Sequence, residues 1–224
     1  MRVNFGVLQF PGSCDERDAL EAARRVADAE LVWHERSDLA GIDAVIVPGG
    51  FSYGDYLRAG AIARFAPVMG AVSDFAARGG PVLGICNGFQ VLCEADLLPG
   101  ALLPNEDLRF VCRQVGVEVV SSDSAFTRGL QPGEVLSIPV KHTTGRFFAP
   151  DPMLDELEAT GGVIARYAAG GNPNGSARDI AAVCNQDRNV VGLMPHPEHA
   201  VDPLTGSVDG LKLFAAAAAT PAAA

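Results

Sequence analysis

Apolar positions along this chain alternate between short strand-like runs and stretches with helical spacing. Val3–Gln9 reads as a strand, Asp15–Asp28 as an amphipathic helix and Glu30–His34 as a second strand. Ala44–Val47 is a wholly apolar strand that stops at Pro48-Gly49-Gly50. Arg64–Arg78 contains a helix, Pro81–Ile85 is another buried strand, and a helix opens after Cys86 and runs to about Ala95. This alternation predicts an α/β protein with an open, mostly parallel twisted sheet and helices on both faces. After Asn105 the runs become shorter and β-like: Arg109–Val120, Val135–Pro139, Val163–Tyr167, Ile180–Cys184 and Asn189–Met194, separated by Gly, Pro, Asn and Asp turns. This half is expected to add antiparallel strands to the same sheet, so that residues 1–224 form one domain. The alanine-rich tail from Ala215 reads as the end of a last helix, stopped by Pro221.

Ligands of such sheets bind beyond the carboxyl ends of the strands. Pro11–Cys14, Gly49–Arg58 and Cys86–Gln90 therefore face one crevice. Within it, Gly84-Ile85-Cys86-Asn87-Gly88 places a cysteine between two glycines where a strand turns into a helix. Glycines keep such a crowded elbow free of β-carbons. A thiol at a helix start has its thiolate favoured by the macrodipole and by unpaired backbone N–H groups. Cys86 is the candidate nucleophile.

Composition narrows what this thiol acts on. The 224 residues are 48% hydrophobic, enough for a sizeable core. With 17 basic and 27 acidic residues the formal net charge is -10, which opposes binding to nucleic acid or anionic lipid. No apolar stretch reaches the length of a membrane span. Five cysteines without paired spacing fit reduced thiols and a cytoplasmic setting better than disulfides or a zinc site. Cys93, Cys112 and Cys184 fall in apolar runs and read as packing residues, while Cys14 lies on the crevice side.

A thiolate nucleophile needs a base and a group that orients the base. Of the four histidines, His34 reads as an edge residue and His142 as a pocket-lining one. His196, held between Pro195 and Pro197, is followed two residues on by Glu198, which an extended segment presents on the same side. A metal site from His196, Glu198 and His199 is disfavoured because no other ligand motif converges on it. For the oxyanion of acyl transfer, the backbone N–H groups of Gly50 and Asn87 are the candidate donors.

Cys86-x-Gly88-x-Gln90, the Pro48-Gly49-Gly50 loop and His196-x-Glu198, in this order, resemble the class I (triad) glutamine amidotransferases. Within that group the chain is similar to the glutaminase subunits of phosphoribosylformylglycinamidine synthase. The segment from Pro48 through Phe51-Ser52-Tyr53-Gly54-Asp55-Tyr56-Leu57-Arg58 to Gly60 carries that likeness, with Gln9-Phe10-Pro11-Gly12, Lys141-His142, Asn172-Pro173-Asn174-Gly175-Ser176 and Met194-Pro195-His196-Pro197-Glu198. His199 stands where the family pattern has arginine.

The resemblance implies a flavodoxin-like amidotransferase fold and a Cys86, His196, Glu198 triad. It implies that Gln90 and the backbone at Thr143 and Thr144 hold glutamine. Ammonia would pass to a larger ATP-dependent synthetase subunit, assisted by a small third subunit. No P-loop occurs here, so no cofactor is expected on this chain, and ATP and magnesium belong to the partner. The Gly49–Gly60 loop, with its diglycine and its run of aromatic and charged residues Phe51, Tyr53, Asp55, Tyr56 and Arg58, is expected to let the docked partner reorient one peptide and switch the glutaminase on. Two other readings compete: a stand-alone cysteine hydrolase or deglycase-like enzyme, and a glutamine-sensing subunit without catalysis.

Overall fold

A computed structural model describes residues 2–219. The chain runs β1 (Asn4–Gln9), α1 (Glu16–Arg24), β2 (Asp28–Trp33), β3 (Ala44–Val47), α2 (Pro67–Ala77), β4 (Val82–Ile85), α3 (Asn87–Glu94) and β5 (Ala101–Pro104). It continues with β6 (Val111–Val119), β7 (Val135–His142), β8 (Thr144–Phe148), α4 (Asp151–Thr160), β9 (Val163–Tyr167), β10 (Ile180–Cys184), β11 (Val190–Leu193) and α5 (Leu211–Ala218). The stop assigned to Pro221 lies outside the described residues.

Nine strands form one sheet in the order β2-β1-β3-β4-β11-β10-β9-β6-β7, and β5 pairs with β8 in a separate ribbon. The five strands from β2 to β11 are parallel, and β10, β9, β6 and β7 extend them with antiparallel pairings. Antiparallel additions to one sheet are thus present, with one correction. The run Asn189–Met194 belongs to the parallel half, since β11 inserts beside β4. Every residue of β3, β4 and β11 is buried, as expected of central parallel strands covered on both sides.

Successive residues of β11 show the two covers. Gly192 faces Phe89 and Leu98 on the α3 side, where a β-carbon would collide with them. Its neighbours Val191 and Leu193 line a small cavity with Leu213 of α5 on the other face. Helix α1 packs against β1, β2 and α5.

Several elements differ from the hydrophobic pattern, among them the helix read over Asp15–Asp28, which ends at Arg24 with Asp28 already opening β2. β7 continues through Pro139 to His142, which a proline permits because β7 is an edge strand and needs no donor on its free side. Helix α4 was hidden by a weak apolar stripe of Leu154 and Leu157, although it has proline in its first turn and a left-handed Gly161 at its end.

Candidate active site

The carboxyl ends of β1, β3, β4 and β11 and the end of β7 meet at one pocket of about 110 Å³, which Asn87 and Glu198 do not line. Cys14, Asp15, Gly50, Cys86, Gln90 and His196 line it, with Lys141, His142, Thr143 and Thr144 opposite.

Cys86 sits between β4 and α3 with φ 49° and ψ -103°, a backbone conformation costly for any residue with a side chain. Its neighbours explain how the strain is held. A β-carbon on Gly88 would run into the carbonyl of Val47, and one on Gly84 would come within 2.8 Å of the Gly88 carbonyl. Gly88 therefore allows α3 to start directly against β3, and Gly84 allows it to start against β4. The Cys86 N–H donates to the Leu193 carbonyl at 2.8 Å, which ties the elbow to β11 and to the histidine that follows it.

His196 and Glu198 are almost fully buried, at 1% and 2% exposure. His196 Nδ1 lies 2.6 Å from Glu198 Oε1, and the His196 N–H donates to the Pro139 carbonyl at 2.8 Å. His196 Nε2 makes no hydrogen bond of ordinary geometry. It is the nitrogen left for the Cys86 side chain, which is close enough to act on the ring's protonation. Burial opposes a charge on His196, but Glu198 and Cys86 beside it outweigh that penalty and push the imidazole up to about 10.

The Gly49–Gly50 peptide has a defined direction. The Gly49 carbonyl accepts the N–H groups of Cys14 and Asp15, each at 3.3 Å, and the Phe51 N–H reaches the Gly12 carbonyl at 2.9 Å. These bonds flank an antiparallel bridge between Ser13 and Gly50 in which the Gly50 N–H points away from residues 12–14. Those residues follow β1, and Cys86 follows β4 on the other side of β3. The peptide is trans, so the Gly50 N–H points opposite to the Gly49 carbonyl, and Gly50 and Cys86 line the same pocket. Asn87 is the first residue of α3, where backbone N–H groups have no helical partner.

The Asn87 side chain links three segments. Its Oδ1 accepts the Ser52 N–H at 3.0 Å, and its Nδ2 donates to Asp55 Oδ1 at 3.2 Å and Gln90 Oε1 at 2.8 Å. Gln90 Nε2 then donates to the Thr144 carbonyl at 2.5 Å, and the Asn105 N–H holds the Thr143 carbonyl at 2.8 Å. Gln90, Thr143 and Thr144 thus form one wall of the pocket.

The other histidines take different roles. His142 Nε2 accepts from Asn174 Nδ2, whose second bond to the Gly145 carbonyl establishes the amide nitrogen as donor. Burial and the charge of His196 lower His142 to about 4, so it stays neutral. His34 bonds Tyr53 at the edge of the sheet, as its strand-end position suggests.

Asp15 was not among the expected site residues. It joins His196, Glu198 and His199 in a group whose ligand atoms all lie within 4.8 Å, so a fourth metal-type ligand does converge there. The Lys141 ammonium lies 2.5 Å from one member of this group, Asp15 Oδ1. Cys112 is exposed instead of packed, because it lies on the part of β6 that only the edge strand β7 accompanies.

The chain belongs to the CobB/CobQ-like glutamine amidotransferase domain family, which matches residues 2–216. It is 60% identical over 212 residues to phosphoribosylformylglycinamidine synthase subunit PurQ of Frankia casuarinae, covering 94% of this chain and 91% of that one. To the PurQ subunit of Rubrobacter xylanophilus it is 60% identical over 215 residues, 96% of each chain. Among solved structures, a chain in the structure of PurLQS from Thermotoga maritima matches with a TM-score of 0.88 at 39% identity, covering 97% of this chain and 98% of that one.

Proposed function

We propose that this chain is the glutaminase subunit of a phosphoribosylformylglycinamidine synthase, with Cys86, His196 and Glu198 as its triad. The observation that carries the triad is the strained Cys86 elbow bonded to β11, directly before a buried His196 whose Nδ1 is held by Glu198.

In this reading the Cys86 thiolate attacks the side-chain carbonyl carbon of glutamine. The carbonyl π pair moves onto oxygen, where the N–H groups of Gly50 and Asn87 receive it. His196 gives its proton to the amide nitrogen as the C–N bond breaks, and ammonia leaves. The γ-glutamyl thioester remains, with His196 neutral. His196 then takes a proton from water, the hydroxide displaces the thiolate, and glutamate departs with the imidazolium and thiolate restored. Glu198 holds the Nδ1–H throughout. Gln90, Thr143 and Thr144 shape the wall that holds glutamine.

The ammonia is consumed on a larger ATP-dependent synthetase subunit that converts formylglycinamide ribonucleotide to formylglycinamidine ribonucleotide, with a small third subunit in the assembly. ATP and magnesium act there, and this chain carries no resident cofactor. Five free cysteines support a cytoplasmic setting. Among the described residues, no helix is long and apolar enough to cross a membrane.

A glutamine-analogue diazoketone tests the triad. Alkylation of Cys86 alone, located by peptide mass spectrometry and blocked by glutamine, is expected. Labelling elsewhere, or none, contradicts the assignment.

A further inference from the structure

Asp15 occupies the residue before α1, the position at which an aspartate ordinarily accepts the helix's first N–H groups. It makes no such bond. The residue is 3% exposed, and its side chain turns instead toward the catalytic pocket. Oδ1 lies 2.5 Å from Lys141 Nζ and 3.3 Å from His199 Nε2, and Oδ2 lies 3.6 Å from His196 Nδ1. Such a capping bond stabilises a helix, and this residue forgoes it.

Gly49 shows that the approach to His196 has been accommodated. A β-carbon there would collide with Asp15 Oδ2 and lie 2.8 Å from His196 Cε1. The space between carboxylate and imidazole is open only because residue 49 lacks a side chain. His196 Nδ1 thus has two carboxylates within reach, Glu198 in direct hydrogen bond and Asp15 one ångström farther out.

Resting on the triad reading above, we propose that Asp15 is a second acid of His196, a positioning residue whose charge is metered by Lys141 and which keeps the imidazole protonated beside Cys86. The groups facing His196 are Glu198, Asp15 and His199 on its Nδ1 side, with Cys86, His142 and Lys141 around the pocket. Asp15 is an anion under all working conditions: burial opposes its charge, but His199, His196 and Lys141 together hold it well below the usual carboxylate range. Lys141 is held up as a cation by Asp15 against its own burial. The cluster therefore acts as a fixed field on a ring whose protonation the reaction changes twice.

The two charges push His196 in opposite directions, which separates this role from mere support. Asp15→Asn removes a negative charge, so His196 gives up its proton at lower pH. Lys141→Gln leaves Asp15 uncompensated, so His196 holds its proton to higher pH.

The experiment assays glutaminase turnover of the full chain assembled with its synthetase, across the neutral and alkaline range, for wild type, Asp15→Asn, Lys141→Gln and Cys86→Ala. Asp15→Asn is expected to lower kcat about tenfold, part of the hundredfold or more that a positioned acid-base group contributes, with KM nearly unchanged. Its alkaline limb is expected to move down in pH, and that of Lys141→Gln to move up. An Asp15→Asn limb and kcat equal to wild type, or limbs moving in the same direction, overturn the proposal. If Asp15→Asn does not fold, Lys141→Gln decides alone, and an unmoved limb overturns it. Activity surviving in Cys86→Ala would instead overturn the triad reading itself.

Discussion

His196 Nδ1 lies 2.6 Å from Glu198 Oε1, with a single proline between the two residues. Pro197 starts a short 3₁₀ turn that brings the carboxylate back onto the ring. Replacing Glu198 with glutamine keeps the shape and removes the charge. Glutaminase turnover should fall at least about a hundredfold.

The same pair gives a stability signature. His196 holds its proton to about 10 in the fold, above its ordinary value of 6.5. Its stabilising contribution is therefore complete below about pH 6.5 and is lost as the pH rises through about 10. The gap in urea midpoint between wild type and Glu198→Gln should narrow over that window. A constant gap contradicts the ion pair.

The five thiols should separate by reactivity. Burial, aided by Glu94, pushes the Cys93 thiol far above its ordinary range, and burial also raises Cys184 against the pull of Arg188. Limited alkylation at neutral pH is expected to modify Cys86 first, with glutamine protecting it. Cys112, being exposed, should react without protection by glutamine. Cys14 lines the same pocket but is raised by burial and by Asp15, so it should follow slowly. Mass spectrometry of digested samples reads the order.

The loop after Gly50 is the place to look for partner control. Tyr53, Asp55 and Leu57 have φ of 52°, 54° and 71°, conformations that side chains rarely adopt. Asn87 ties Ser52 and Asp55 to the catalytic elbow, and Arg58 makes two 2.6 Å bonds to the Glu94 carboxylate on α3. Tyr56 projects outward at 74% exposure. A synthetase that grips Tyr56 would therefore pull on Asn87, whose N–H is one proposed oxyanion donor. Turnover should rise when the synthetase, ATP and acceptor nucleotide are added, and Tyr56→Ala should lose most of that rise. Equal activation of wild type and variant would remove Tyr56 from the path.

The parts of the site that were legible in the sequence are those built by neighbours. Gly84 and Gly88 announce the Cys86 elbow because the turn must accommodate itself, and His196 with Glu198 is a contact over two residues. The strands β1, β3 and β4 were legible because their burial makes continuous apolar runs. Asp15 was not legible as a site residue. Its contacts with Lys141, His196 and His199 span 126 to 184 residues, and an aspartate before a helix has an ordinary local explanation. The β5 and β8 ribbon escaped for the same reason, since its strands are only half buried and pair across an intervening 39 residues of other structure. The exposure of Cys112 depends on which strand neighbours β6, a fact of topology and not of pattern.

The central claim is that Cys86 makes the ammonia and nothing else in the reaction. Cys86→Ala, assembled with the synthetase, should be assayed for formylglycinamidine ribonucleotide with glutamine and, separately, with ammonium salt as nitrogen source. The account predicts that synthesis from glutamine is abolished while synthesis from ammonium proceeds at the wild-type rate. Glutamine-dependent synthesis persisting in Cys86→Ala would contradict it.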